Sequence, residues 1–514
     1  MRHISVAVAL GRALLCVNRS WERGIIHEIY DSRRGISREA HVGVRQDTNG
    51  LAPFGDVPAF DVVSALGLDW STDQLLLSSG ANDAADAVPK PEFGRVAPPS
   101  LGFGEAIDPF NPREVGWVVV VGADDPDKGR LVNAIKPLAT RRGGPGSWGP
   151  IEIAPGADAV QWVFEYIDSR DPIPRYVLLL GSPRHLPFEL HSYLARNHQV
   201  GRLDFSSIAD DGTERQDLDA LASYVGKVVR LEDAAPRVSQ LPVVMWAPSR
   251  GPTDPTFYSR RVLVEPLAAR LVADKKVPTE VLVGQRATKA ELLEVVVERQ
   301  PAVLFTASHG RAVAVTMGLA LQARHNGSLV DQHLANLTVD DLPSADLPFV
   351  EGGLIYSFAC FGYGTPSTSG YTHWSAKVRE YEADVAFVAA LPKRYLAHPR
   401  GPIAFVGHAD YALLHAFTDP HQPARPHNAL SPHLAKYREA LDLAMLDQPY
   451  STVLSPLAGH LSQVESELVQ VWDDAKKVGA EPGLGIDLVD TFLRRNDARA
   501  SFLLGDPAAR PRLR

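Results

Sequence analysis

The sequence predicts an α/β fold organised around a mostly parallel sheet, and three observations carry that prediction. First, continuous runs such as "WVVVV" from Trp117 and "YVLLL" from Tyr176 have the composition of strands buried on both faces. Second, segments with helical spacing lie between such runs, as with Val160, Val163, Phe164 and Ile167. Third, the pattern restarts after Pro242, so strands and helices alternate over most of the chain, which is the signature of parallel β-α-β architecture.

Taken in order, residues 1–115 are weakly patterned and rich in Gly, Pro, Ala and Asp toward their end, and read as a pro- or covering segment. Residues 116–235 form a first α/β unit, with strands "GWVVVVGA" and "YVLLLGS" around the helix "DAVQWVFEYI". Residues 240–410 form a second. Here "PVVMWAP", "TEVLVG", "AVLFTASHG", "GLIYSFACFG" and "PIAFVGHAD" are strands, whereas "SRRVLVEPLAARLVADK" and "YEADVAFVAAL" read as helical. "TKAELLEVVVERQ" is a helix opened by a capping box from Thr288 to Glu291. Residues 411–514 read as mainly helical and close with a short strand, "SFLLGDP".

Composition narrows the function classes. The 514 residues include 45% hydrophobic and 22% charged side chains, ordinary for a globular protein. A net charge of −9 makes the chain a poor general binder of nucleic acid, since neutralising phosphates needs basic surface. No apolar run approaches the roughly 20 residues of a membrane helix. Gly11 and Arg12 interrupt the N-terminal apolar stretch, which reads against a secretory signal. Two cysteines, Cys16 and Cys360, build neither a disulfide framework nor a thiolate zinc site. A reducing, cytoplasmic setting with no metal and no cofactor is the expectation.

Apparent motifs fall away on inspection. "GPGSWG" from Gly144 has the spacing of a dinucleotide loop, but "PIEIAPG" after it cannot open the helix that would hold a pyrophosphate. His421, His427 and His433 lie in a proline-broken stretch with no metal-site spacing.

Two strand ends carry chemistry. One run ends in Ser308-His309-Gly310 and the other in Ala359-Cys360-Phe361-Gly362. Ligands of open parallel sheets bind beyond the carboxyl ends of the strands. If these strands are neighbours, His309 and Cys360 meet in one cleft. A thiol becomes a strong nucleophile once its proton is lost, and an imidazole can take that proton and return it to a leaving amine. Gly310 can bring its N–H close to a developing oxyanion, with the N–H of Cys360 as second donor. Gly362 and Gly364 are expected to turn the chain away and leave room for a substrate.

The apolar block ending in His-Gly, followed by the block ending in Ala-Cys, resembles the caspase–hemoglobinase group of cysteine peptidases. "YVLLLGSPRHLPFEL", "VGRLDF", "LASYVGKVVRLED", "GPIAFVGHADYA" and "FLLGDPAARPRL" are similar to stretches of its gingipain-type branch and prokaryotic caspase-like relatives. The resemblance covers about 116–410 and the last 15 residues. It implies a three-layer α/β/α fold and an endopeptidase acting on proteins or peptides, with Cys360 as nucleophile and His309 as general base and acid. Gly310 and Cys360 would supply oxyanion N–H groups, and no third catalytic member is nominated. A preference for basic P1 residues is implied, with Glu189, Asp204 or Asp410 as the pocket acid and His408 and Tyr411 in the pocket wall. "HSYLARNHQ" before "VGRL" lacks the acid found there in arginine-specific members. Relatives of this kind act downstream of stress or antiviral signals, so an activating protease or regulatory partner is implied. The basic glycine-rich stretch "TRRGGPGSWG" reads first as an ordinary exposed surface loop, and a cut near Arg141–Arg142, or in the 80–110 region, is a candidate activation event. The alternative reading is a catalytically silent scaffold on the same fold, with a buried and unreactive Cys360.

Overall fold

The structure, a computed structural model, describes residues 66–73, 76, 108–143, 149–234, 242–372, 376–419, 431–477 and 486–511. Cys16, the N-terminal apolar stretch, most of the 80–110 region, residues 144–148, His421 and His427 lie outside them.

The strands that matter for the site are β1 (Gly67–Asp69), β2 (Trp117–Gly122), β3 (Pro150–Ile153), β4 (Tyr176–Leu180) and β5 (Gln199–Leu203). They continue with β6 (Val243–Ala247), β7 (Thr279–Val283), β8 (Val303–Ala307), β9 (Gly310–Ala312), β10 (Leu354–Phe358), β11 (Ala404–His408) and β12 (Ser501–Leu504). Ten of them form one sheet in the order β3-β2-β4-β5-β12-β11-β10-β8-β6-β7. Every pairing is parallel except that of β12 with β11.

Successive side chains of a strand point to opposite faces. In β2, Trp117, Val119 and Val121 join one apolar core and Val118 and Val120 another. Both faces are therefore covered. Helices Lys128–Ala134, Lys136–Arg142 and Leu218–Asp233 contribute to the first core, and helices Ala159–Val163 and Phe188–Leu194 to the second. This is the three-layer α/β/α arrangement, reached from the all-apolar strand pattern.

The last strand joins the two halves of the sheet. β12 pairs antiparallel with β11, from Phe405↔Leu504 to His408↔Ser501, and parallel with β5 through Leu504↔Arg202. Gly505 follows at φ 133°, a conformation that favours glycine, and a Cβ there would stand 2.6 Å from the Ile403 carbonyl oxygen. Asp506 is fully buried and accepts from Trp117 Nε1 (3.0 Å) and Arg142 Nε (2.7 Å).

Three expectations are corrected. Arg141 and Arg142 do not lie in an exposed loop: they end helix Lys136–Arg142. Arg142 is buried and bidentate to Glu232 at 2.9 and 2.7 Å, while Arg141 holds Glu232 and Asp233. A helical, ion-paired segment is a poor site for nicking. "YEADVAFVAAL" is not one helix: Phe387–Val388 pairs as a short strand with Gly364–Thr365, and the helix begins at Ala390. The box at Thr288 is half formed: its Oγ1 accepts from Glu291 N–H, but the Glu291 carboxylate turns to Arg286. No helix among the described residues is long and apolar enough to cross a membrane.

Candidate active site

β8 and β10 are neighbours, in register from Val303↔Leu354 to Ala307↔Phe358. The ladder continues with Ser308 N–H donating to the Phe358 carbonyl at 3.1 Å. His309 and Cys360 each lie two residues beyond the last pair, so the parallel register carries both to the same end of the sheet. Glycine at 310 is required by close approach: a Cβ there would stand 1.9 Å from the Cys360 carbonyl oxygen. The turn after the thiol is made by Phe361, at φ 57°, and not by Gly362 or Gly364 as the sequence implied. Gly364 matters for another reason, since a Cβ on it would meet the Phe387 carbonyl oxygen at 2.3 Å.

His309 is buried, with Nε2 2.8 Å from Asp254 Oδ1. Asp254 is the N-cap of helix Pro255–Tyr258, and the same oxygen accepts from Thr256 N–H (2.9 Å) and Oγ1 (2.5 Å). Burial opposes the charge on Asp254, but hydrogen bonds from His309 and Thr256 outweigh it and hold the carboxyl below its ordinary range. A carboxylate at Nε2 favours the tautomer with the proton on Nε2, leaving Nδ1 as a bare acceptor. Nδ1 has no hydrogen-bond partner among the described residues. Sequence reasoning missed Asp254. "DPT" signals a helix start, but nothing local ties it to a histidine 55 residues on.

Cys360 is completely buried. Its Sγ accepts from Ala412 N–H at 3.2 Å. Burial pushes the thiol well above its usual range; the N–H groups of Ala412 and Leu66 pull the other way, and Asp410 adds to the rise. What covers it is β1, which pairs parallel with β9 through Gly67↔Gly310, Leu68↔Arg311 and Asp69↔Ala312. The Gly310 N–H donates to the Leu66 carbonyl (2.8 Å), and Leu66 N–H donates to the Ala412 carbonyl (3.0 Å).

The remaining predicted residues divide. Asp410 and Tyr411 flank the cysteine turn: Phe361 N–H donates to the Asp410 carbonyl at 2.9 Å, and the Tyr411 ring lies 4.9 Å from that of Phe361. The Asp410 carboxylate is occupied by Ser369 Oγ (2.8 Å) and the N–H groups of Gly370 (2.9 Å) and Tyr411 (2.8 Å). His408 is buried, with Nε2 3.1 Å from Asp497 and 3.3 Å from Ser501 Oγ, toward β12. Glu189 is exposed on helix Phe188–Leu194, and Asp204 is buried and accepts from Ser206 N–H at 2.8 Å. Asp204 follows β5, with β12 and β11 between that strand and β10, so the structure does not bring it to the thiol. No cluster of His, Cys, Asp or Glu among the described residues is placed to hold a metal ion.

Burial raises the Asp410 carboxyl to about 6, against the hydrogen bonds that lower it. A carboxyl raised on folding binds its proton more tightly in the native state. Its contribution is therefore full below about pH 4 and is lost as pH rises through about 6, roughly 3 kcal/mol in all. Urea unfolding of wild type against Asp410→Asn isolates this share: between pH 4 and pH 7 the wild type is expected to lose stability relative to the variant.

No protein-family model and no curated protein matches the chain. Among solved structures, one described as a protease aligns at 11% identity and a TM-score of 0.41, over 77% of this chain and 78% of its own. The Arg-specific cysteine proteinase gingipain R aligns at 12% identity and a TM-score of 0.42, over 79% and 80%. The separase–securin complex of Saccharomyces cerevisiae aligns at 8% identity and a TM-score of 0.25, over 67% of this chain and 16% of its own.

Proposed function

We propose that the protein is a cysteine endopeptidase of the caspase–hemoglobinase type, with Cys360 as nucleophile and His309 as general base and acid. The observation that carries this reading is the matched pair of strand ends, with His309 Nε2 held by Asp254 and Nδ1 left unpaired among the described residues. Nδ1 takes the thiol proton as Sγ bonds to the substrate carbonyl carbon. The resulting oxyanion accepts from Gly310 N–H. As the C–N bond breaks, His309 gives its proton to the departing amine and a thioester remains. Water, deprotonated by His309, then attacks the thioester and releases the acid and the thiol.

The test is cleavage of a peptide library by protein in which β1 is loosened from the thiol, with Cys360→Ala in the same background as the blank. Cys360-dependent, His309-dependent cuts are expected, and turnover by the Cys360→Ala form at its parent's level would overturn the reading. A specific observation favours a second reading, a catalytically silent scaffold: the thiol is buried and held protonated.

A further inference from the structure

The segment that hides Cys360 lies where a substrate would lie. The only N–H proposed as oxyanion donor from β9, that of Gly310, is already holding a peptide carbonyl, that of Leu66. The N–H of the same residue is held by the carbonyl of Ala412, on the opposite wall. One residue is thus gripped at both its backbone groups, as strand addition to a groove requires. The next residue is glycine: a Cβ on Gly67 would stand 3.3 Å from Cys360 Sγ and 2.7 Å from Leu76 Cδ1. Leu66 is completely buried. Farther on, the strand is anchored: Trp70 N–H donates to the Ala312 carbonyl (2.8 Å), and Tyr381 Oη donates to Asp69 Oδ2 (2.6 Å). Asp69 Oδ1 accepts from the N–H groups of Ser71 (2.8 Å) and Thr72 (2.9 Å), closing a turn, and Arg311 Nη1 donates to the Asp69 carbonyl (3.1 Å).

We infer that Leu66–Trp70 is a built-in pseudosubstrate that closes the active site and marks the register in which it takes extended peptides. A branched aliphatic residue occupies the P1 position, with its carbonyl on Gly310 N–H, and a small residue follows. The inference rests on the peptidase reading for its catalytic part. It replaces the basic P1 preference with an apolar one, since Asp410, the candidate pocket acid beside the cysteine turn, spends its carboxylate on Ser369, Gly370 and Tyr411.

The full chain is tested in two variants that loosen the segment differently. Gly67→Val puts a side chain against Sγ, and Asp69→Ala removes the Tyr381, Ser71 and Thr72 contacts. Alkylation of Cys360 by iodoacetamide, read by mass spectrometry on the native protein, is expected to be slow in wild type and at least about tenfold faster in both variants. The variants are then given capped peptides ending in Leu or in Arg ahead of an aminomethylcoumarin leaving group. The Leu peptide is expected to turn over at least about tenfold faster. Unchanged alkylation in both variants would overturn the cover, and preference for Arg would overturn the register. Faster alkylation without dependence on His309, and without turnover of either peptide, would keep the cover and sink the peptidase reading. Fast, His309-dependent alkylation of wild type would do the reverse.

Discussion

His309→Ala, placed in a variant whose cover is loosened, is expected to lower kcat/KM by at least about 10³-fold. The thiol lies in a buried setting that favours its protonated form. Without a base beside it, the thiolate has nothing to stabilise it, and the amine leaves without a proton. Asp254→Ala should lower it by about 10²- to 10³-fold, by freeing the ring and its tautomer. Asp254→Asn should recover part of that loss. Its amide oxygen can still accept from Nε2–H and from Thr256, while the charge that supports an imidazolium is gone. Steady-state kinetics on one peptide, with circular dichroism to confirm the fold, reads both effects. If Asp254→Ala matches its parent, the orienting role falls.

Asp506→Ala is expected to cost about 3–5 kcal/mol, read as a shift of the urea midpoint at unchanged slope. Arg142 is buried between Glu232 and Asp506. Removing one carboxylate leaves a buried guanidinium short of counter-charge and strips Trp117 Nε1 of its acceptor. Arg141→Ala, farther out and partly solvated, should cost about 1 kcal/mol or less. Equal costs for the two would contradict the network.

The main strands were legible because burial on both faces leaves little room for polar residues, and β2, β4, β8 and β10 all show that pattern. That His309 and Cys360 follow neighbouring strands was legible for the same reason, since parallel neighbours end together. Besides Asp254, three features were not. Arg141 and Arg142 looked solvated because the carboxylate that buries Arg142 at the far end of the chain comes from 364 residues away. "AFVAA" was ambiguous between strand and helix, as short apolar runs are, and pairing with Gly364–Thr365 decided it. β1 carries no strand signal of its own: its three residues, Gly-Leu-Asp, are extended because β9 pairs with them and Ala412 holds Leu66 just ahead of them. Sequence patterns report what a segment buries, and β1 is defined by what it blocks.

The order of strands has a consequence in time. The strand that joins the halves, β12, lies in the middle of the sheet but is made after the other nine strands of that sheet. At ~5–20 residues per second, roughly 90 residues separate the emergence of β11 from that of β12, a wait of about 5–20 s. Throughout it, β5 and β11 have open edges, the condition under which strands pair with the wrong partner. The ion pairs and Trp117 contact at Asp506 form only once this wait is over. A newly made chain therefore completes the sheet that carries Cys360 only after β12 has emerged, so translation itself delays the assembly of the site.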